Sequence, residues 1–285
     1  MNNFIKRTIS GIGFAAVMLA AFLTNQYVFG AVMLFALIVM MWEFLRMTCG
    51  SDYKYSQIMS ILSGATLFTL VYCNRAFGLP GRMTILAFIP VFILMINSLY
   101  VKDKSRFDKF ANLYTAILYI AVPWSVLNFA AFTPEGVFYG KLLLCFFCII
   151  WGSDVGAYCF GMALGQKYGK KLFPSISPKK SWIGFWGGMF LAIVVSIALY
   201  LLGWFPNFST YDTTNYLNYA AMAVLLHVAG VYGDLIESQW KRHYNVKDSG
   251  NIIPGHGGLL DRFDSALIAI PVGVIYLVVA HVIQL

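Results

Sequence analysis

Nine apolar runs, each of a length that a lipid bilayer explains, divide this chain. They fall at roughly 8–24, 27–45, 57–74, 83–101, 110–131, 137–163, 182–203, 216–237 and 263–285, near the about 17 to 25 residues a helix needs to cross the hydrocarbon layer. Inside that layer no water can bond to the backbone, so a spanning segment must satisfy its own N–H and C=O groups as a helix. The expected fold is all-α, a polytopic membrane protein with about nine transmembrane helices. Composition agrees: 11% of residues are charged, against about 25% in an ordinary globular domain. The first run lacks a small-residue cleavage pattern and a second span follows at once, so it reads as a retained helix, not a signal peptide.

Lys and Arg gather on the cytoplasmic side of membrane proteins. With the N-terminus cytoplasmic, the inner segments carry Lys6, Arg7, Arg46, Lys54, Lys102, Lys104, Arg106, Lys109, Lys167, Lys170, Lys171, Lys179, Lys180, Lys241, Arg242, Lys247 and Arg262. That is 17 of the 20 basic residues, and only Arg75, Arg82 and Lys141 remain outside. An odd number of spans then puts Leu285 outside. The formal charge of +8 belongs to the inner face, where it suits anionic membrane lipids or a polyphosphate. Because these residues sit in short loops and not on a soluble basic domain, no nucleic-acid partner is expected. Cys145 and Cys148 form a CxxC within "LLLCFFCII", which has no second ligand pair and reads as buried small hydrophobes.

The chain divides by polarity near residue 150. Earlier spans hold little that titrates beyond Glu43 near a helix end. Residues 1–150 are therefore expected to form a scaffold of transmembrane helices, with room for contacts in a homodimer. Residues 151–285 are expected to carry the chemistry, with its cytoplasmic loops. A carboxylate at membrane depth costs roughly 2.5 to 3.5 kcal/mol on insertion scales, yet Asp154, Asp234 and Glu237 interrupt apolar helices of this second half.

Asp234, Glu237 and Ser238 stand at i, i+3 and i+4, with Lys241 one turn further along the same face. Asp261 and Asp264 repeat the i, i+3 spacing at the start of the last span. Between the two rows lie Gly250, Pro254, Gly255, Gly257 and Gly258, a density that forbids continuous helix and suits close approach of backbone to a ligand. N–H groups in such a loop, followed by a helix N-terminus, make an anion cradle. Carboxylates beside it point to a hard cation such as Mg²⁺, shared with phosphate oxygens. His256 is alone and makes no zinc set; it either orients the turn, contacts phosphate or serves as a general base. In "SISPKKS", Lys179 and Lys180 either neutralise a polyphosphate or are an ordinary positive flank of the next span.

The residues from Ser238 to Asp264 follow the register S-x-x-K-R-x4-K-D-x-G-x3-P-x-H-G-G-x2-D-R-x-D. That string resembles the signature of the CDP-diacylglycerol synthases, or phosphatidate cytidylyltransferases. The resemblance extends through Gly233, Asp234, Leu235 and Glu237, and upstream to Asp154, Ala157, Tyr158 and Ser177-Pro178-Lys179-Lys180. Residues 1–150 match only as hydrophobic spans. Trp240, Ser181 and Ile183 depart from the family's usual residues without removing an expected ligand.

The resemblance implies that CTP and phosphatidate give CDP-diacylglycerol and pyrophosphate, an enzyme of phospholipid biosynthesis with its site facing the cytoplasm. It implies Mg²⁺ and a second cation that can be K⁺. It assigns the metal to Asp234 and Asp261 with Ser238 as an additional ligand, and catalysis to Asp234, Asp261, Lys241 and His256. Substrate contacts would come from Ser177, Lys179, Lys180, Ser238, Lys241, Arg242, Lys247, Gly257, Gly258 and Arg262. Asp248 and Asp264 would orient Lys247 and Arg262, and Asp154 would either complete the acidic cavity or pair with a lysine. Two other classes remain open. A related transferase acting on an isoprenoid phosphate is the nearer; a transporter explains the buried acids but not a glycine-, lysine- and aspartate-rich loop.

Overall fold

The computed structural model describes residues 3–101, 107–205, 215–255 and 257–280. The described chain is almost entirely helical. In order come α1 (Asn3–Leu23), α2 (Gln26–Cys49), α3 (Lys54–Phe77), α4 (Gly81–Tyr100), α5 (Phe107–Ala131) and α6 (Lys141–Tyr168). A hairpin of β1 (Lys171–Phe173) and β2 (Ser177–Ser181) follows, then α7 (Trp182–Leu201), α8 (Asn215–His243) and α9 (Leu260–Val279). Eight of these, α2 to α9, are long and apolar enough to cross a membrane, and α1 contributes the shorter apolar stretch Thr8–Leu23. The protein is an integral membrane protein.

Local chemistry sets several boundaries. Asn25 caps α2, its side chain accepting from the backbone of Tyr27 and Val28 at 3.0 Å each, which satisfies two of the donors a helix start leaves open. Ser181 caps α7 by satisfying one such donor, Gly184 N–H, at 3.2 Å. In α5 a wide π turn, Ile117–Ala121, precedes Pro123. Proline lacks an N–H and its ring collides with a carbonyl one turn back, so the ladder widens locally without ending the helix.

The core is aromatic and reaches across the bundle. Phe263 of α9 packs against Trp124 of α5 at 4.8 Å between ring centroids, Phe14 of α1 at 5.6 Å and Phe147 of α6 at 5.9 Å. Trp124 is fully buried and its indole N–H donates to Met33 O of α2 at 2.9 Å, the partner a buried indole requires. By contrast α4 exposes Phe88, Ile89, Phe92 and Ile96, as a helix does where lipid is its solvent.

Because the helices run alternately up and down, the ends of α2, α4, α6 and α8 share a face with the starts of α1, α3, α5, α7 and α9. Contacts tie that face together. Ser10 donates to Pro254 O at 3.0 Å, Asn112 to the Tyr244 hydroxyl at 2.9 Å, and Lys109 pairs with Asp52 at 2.9 Å. Of the basic residues assigned to this side, Lys102, Lys104 and Arg106 lie outside the described residues.

The hairpin is the part of the fold that periodicity did not suggest. Lys171 faces Ser181 and Phe173 faces Ser177 across an antiparallel pair with an irregularity between. It is short and charged, so hydropathy saw only a loop. Gln166 braces it, donating to Lys179 O at 2.7 Å and accepting from Lys171 at 2.8 Å. α6 and α7, which flank the hairpin, approach closely: a Cβ on Gly156 would stand 2.6 Å from Gly187 O, the small-residue contact expected of membrane helices.

α8 and α9 also meet through a glycine. A Cβ on Gly233 would lie 2.5 Å from Asp264 O and 3.1 Å from Ser265 Cα, whereas one on Gly230 would come no nearer than 3.5 Å to any neighbour, Ser265 Cβ. Backbone cannot yield as a flexible side chain can. Gly233→Ala is therefore expected to destabilise the protein by about 1 to 3 kcal/mol and to lower activity by prising apart the two site helices. Gly230→Ala, one turn earlier, should be neutral or stabilising. Thermal unfolding of both variants in one detergent checks this, and equal midpoints would refute it.

Candidate active site

The acidic rows of α8 and α9 face one another where Gly233 lets the helices touch. Asp234 Oδ2 pairs with Lys180 of β2 at 2.6 Å, and its Oδ1 accepts from Ser238 Oγ at 3.1 Å. Three residues on, Glu237 is wholly buried and lies against the ammonium of Lys241, its i+4 neighbour. Lys241 spans the gap to α9, pairing with Asp261 Oδ1 at 2.6 Å. Glu237, Lys241 and Asp261 thus form one buried chain of charges, and Asp234 lies one helical turn from Lys241's partner Glu237 on α8, in a part-exposed pair with Lys180.

Asp261 is the most heavily bonded acid. While Oδ1 takes Lys241, Oδ2 accepts Ser249 N–H at 2.9 Å, Ser249 Oγ at 2.9 Å and Gly258 N–H at 2.8 Å. It lies in the first turn of α9, where the helix dipole favours an anion. The loop that donates these bonds takes a left-handed turn at Gly257, φ 86°, where a Cβ would approach Asp261 Oδ2 at 2.9 Å; both facts call for glycine. Ile253 and Gly257 form an isolated bridge, with Ile253 N–H bonded to Gly257 O at 3.0 Å.

Outside the buried network lies an open cleft of about 560 Å³ walled by Lys247, Asp248, Gly250, Gly255, Gly257 and Arg262, among others. Lys247 and Arg262 are exposed there. Arg242 is exposed on the same end of α8, its guanidinium donating to Ile176 O of the hairpin at 3.4 Å and to Val246 O at 3.3 Å. Ser177, Lys179 and Lys180 occupy β2, Lys179 exposed and Lys180 turned inward to Asp234.

The sequence-derived set therefore divides in two. Ser238, Lys241, Asp261 and Gly258 lie in the buried part of the site, and Asp234 and Lys180 form a part-exposed pair beside it. Lys247, Gly257 and Arg262 line the cleft, with Arg242, Lys179 and Ser177 around its approaches. His256 lies outside the described residues. Asp154 of α6 shares the electrostatic surroundings of Asp234, Lys180 and Arg262, while Lys180 gives its ion pair to Asp234. Asp264 accepts Ser265 N–H at 2.6 Å.

One contributor was not foreseen. Glu43 of α2 is wholly buried and accepts Leu260 N–H at 2.8 Å, at the base of the glycine loop. A signal was present, since an acid within an otherwise apolar helix must have a buried polar partner. Its location within two turns of the end of α2 disguised it as a solvated flank.

The donor chemistry of the network fits a hard cation. Asp154, Asp234 and Asp264 act on one another's charge, and Glu237 feels Asp261 and Asp264, with Lys180, Lys241 and Arg262 among them. Glu237 Oε1 is buried with no hydrogen-bond donor, and buried carboxylate oxygens of that kind are rarely left so. Among the described residues no three His, Cys, Asp or Glu side chains group as a metal cage. Mg²⁺ needs none when one or two carboxylates share it with substrate phosphates.

Comparison with known proteins gives a family match. The model of a family described as the cytidylyltransferase family matches residues 5–280. Phosphatidate cytidylyltransferase of Bacillus subtilis (strain 168) is 37% identical over 190 residues, 65% of this chain and 65% of that protein. The protein of the same name from Staphylococcus haemolyticus (strain JCSC1435) is 32% identical over 219 residues, 76% of this chain and 78% of the relative. That of Staphylococcus aureus (strain COL) is 37% identical over 180 residues, 63% and 64% of the two chains. The aligned stretch thus spans just under two thirds of the Bacillus relative.

Proposed function

The chain belongs to the cytidylyltransferase family, and from that premise we propose that it transfers the cytidylyl group of CTP to phosphatidate, giving CDP-diacylglycerol and pyrophosphate. One observation carries the reading. Two carboxylates, each already facing an ammonium group at 2.6 Å, adjoin a basic cleft and a glycine loop at the membrane-boundary end of the bundle. Such a place tolerates polyanions and lies beside lipid.

In this reaction a phosphate oxygen of the lipid attacks the α-phosphorus of CTP. The bond from that phosphorus to the oxygen bridging to the β-phosphate breaks, and pyrophosphate leaves with the electron pair. The acceptor is already an anion, so the barrier lies in bringing polyanions together and orienting them. Asp234 and Asp261, with Ser238, would hold Mg²⁺, and a K⁺ could serve as second cation; bound there they supply neutralisation of charge on phosphate oxygens.

The chain's own groups do the rest. Lys247 and Arg262 in the cleft, with Arg242 and Lys179 at its approaches, draw in and orient the triphosphate. Lys180 is held by Asp234 within reach of the same space. Lys241 acts from inside, fixing Asp261 relative to α8. The many donors to Asp261 fix its position. The positive-inside distribution orients this face, and the N-terminus, toward the cytoplasm, where CTP is found.

The test is pyrophosphate release from labelled CTP by the purified protein with a panel of lipid phosphates. Phosphatidate is expected to support release and to acquire the label, EDTA to abolish both, and Mg²⁺ to restore them. Preference for an isoprenyl phosphate would transfer the reading to a different lipid substrate; no release with any lipid phosphate would end it.

A further inference from the structure

Glu43 stands 206 positions from Ser249 and 217 from Leu260 in the sequence, yet both ends of the glycine loop rest on it. Its Oε2 accepts Leu260 N–H at 2.8 Å, one of the donors that the first turn of α9 cannot satisfy within the helix. The backbone packs directly on the carboxylate. A Cβ on Gly250 would stand 2.3 Å from Glu43 Oε1, and one on Gly258 would stand 2.6 Å from Oε2 and 2.2 Å from Ser249 Oγ. Asp261 takes its N–H bonds from Ser249 and Gly258, in the same two stretches of loop that pack on Glu43. Ser249 lies between the two acids. Its single hydroxyl proton goes to Asp261 at 2.9 Å, so its 3.5 Å approach to Glu43 is packing.

We propose that Glu43 is a positioning residue for cytidylyl transfer. It anchors Ser249, Gly250, Gly258 and the first turn of α9 to the N-terminal helices, and so holds Asp261 in place. Such a role explains why a membrane helix retains a buried acid, since insertion of one is costly, and why positions 250 and 258 are glycine. It acts through loop geometry without touching substrate. Small displacements of a reacting constellation cost much in rate, so fixing the loop from the opposite half of the molecule has direct value. The inference rests on the role proposed above for Asp261.

The variants are Glu43→Leu, which removes the acceptor at nearly constant volume, and Glu43→Gln, which can still accept Leu260 N–H. Glu43→Leu is expected to lower kcat about 30-fold or more while KM for CTP changes by less than about threefold. Amide hydrogen exchange across 249–260 should accelerate about tenfold or more, with exchange in α3 and α7 unchanged. Glu43→Gln should recover most of both. Should Glu43→Leu fail to accumulate, Gly258→Ala, which presses a methyl group against the same carboxylate, is expected to give the same local exchange signature. Unchanged loop exchange, acceleration spread evenly over the chain, or kcat within threefold of wild type would overturn the proposal. If the wild-type protein transfers no cytidylyl group, the proposed function fails, while the exchange measurement still decides whether Glu43 anchors the loop.

Discussion

Asp261→Asn is expected to lose about a thousandfold or more in CTP turnover while the protein stays folded. The carboxylate currently accepts from Lys241, from Ser249 twice and from Gly258. An asparagine has one oxygen and an NH₂, so whichever way it turns, a donor faces a donor. Turned one way it loses Lys241, and turned the other it loses the loop. The formal charge that fits a cation disappears as well. Folding should survive because Lys241 keeps Glu237 and the loop keeps Glu43. Asp52→Asn is a suitable control, since Asp52 pairs with Lys109 at a quarter to a third exposure, where ion pairs contribute about 1 kcal/mol at most; its turnover should stay within about twofold. Steady-state incorporation of labelled CTP into lipid, with gel filtration to establish folding, makes the measurement. Turnover of Asp261→Asn within tenfold of wild type would show that the assignment of Asp261 is wrong.

Lys241→Met should have the largest effect on stability. Its ammonium lies between Glu237 and Asp261, with side chains 10%, 0% and 6% exposed respectively. Removing one member of a buried pair leaves an uncompensated charge, a loss of about 3 to 5 kcal/mol. Asp261 retains three other donors, but Glu237 retains none, so most of the cost arises at Glu237. It follows that Glu237→Gln added to Lys241→Met should return roughly 1 to 3 kcal/mol, a positive coupling in a double-mutant cycle. Activity should not return with it, because Asp261 still lacks its link to α8. Unfolding of the four proteins in a single detergent, alongside turnover, separates the two effects. If Lys241→Met were as stable as wild type, the ammonium would not be the centre of the network.

Lys241 also illustrates the limit of reading from sequence. The spacing of Asp234, Glu237, Ser238 and Lys241 correctly placed them on one face of a helix, because 3.6 residues per turn leave no other arrangement. Which partner the lysine takes depends on where the start of α9 docks. Spacing alone allowed it to reach outward to phosphate, and docking turned it inward to Asp261. Lys180, for which the sequence left open a polyphosphate contact or an ordinary positive flank, likewise has its side chain placed by docking, on Asp234.

Helix number was legible, and the extent of several helices to within about two residues. The expected 83–101 is Gly81–Tyr100 and the expected 182–203 is Trp182–Leu201. The errors occur where polar residues continue a helix beyond hydrocarbon. α8 was expected to end at 237 and runs to His243; α9 was expected from 263 and starts at Leu260. Those few residues matter, since they bring Lys241 and Asp261 onto regular helix. The β1–β2 hairpin was not legible, being too short for a period-2 pattern.

The sequence by itself determined the solvent, the helical class and the candidate acids, because backbone satisfaction in lipid and the cost of buried charge act on each segment locally. Only the tertiary structure decided that Glu43, Ser249, Lys241 and Asp261 form one network. Their contacts join residues up to 217 positions apart, and such pairings are set by which helix faces pack together, a property that no single segment carries.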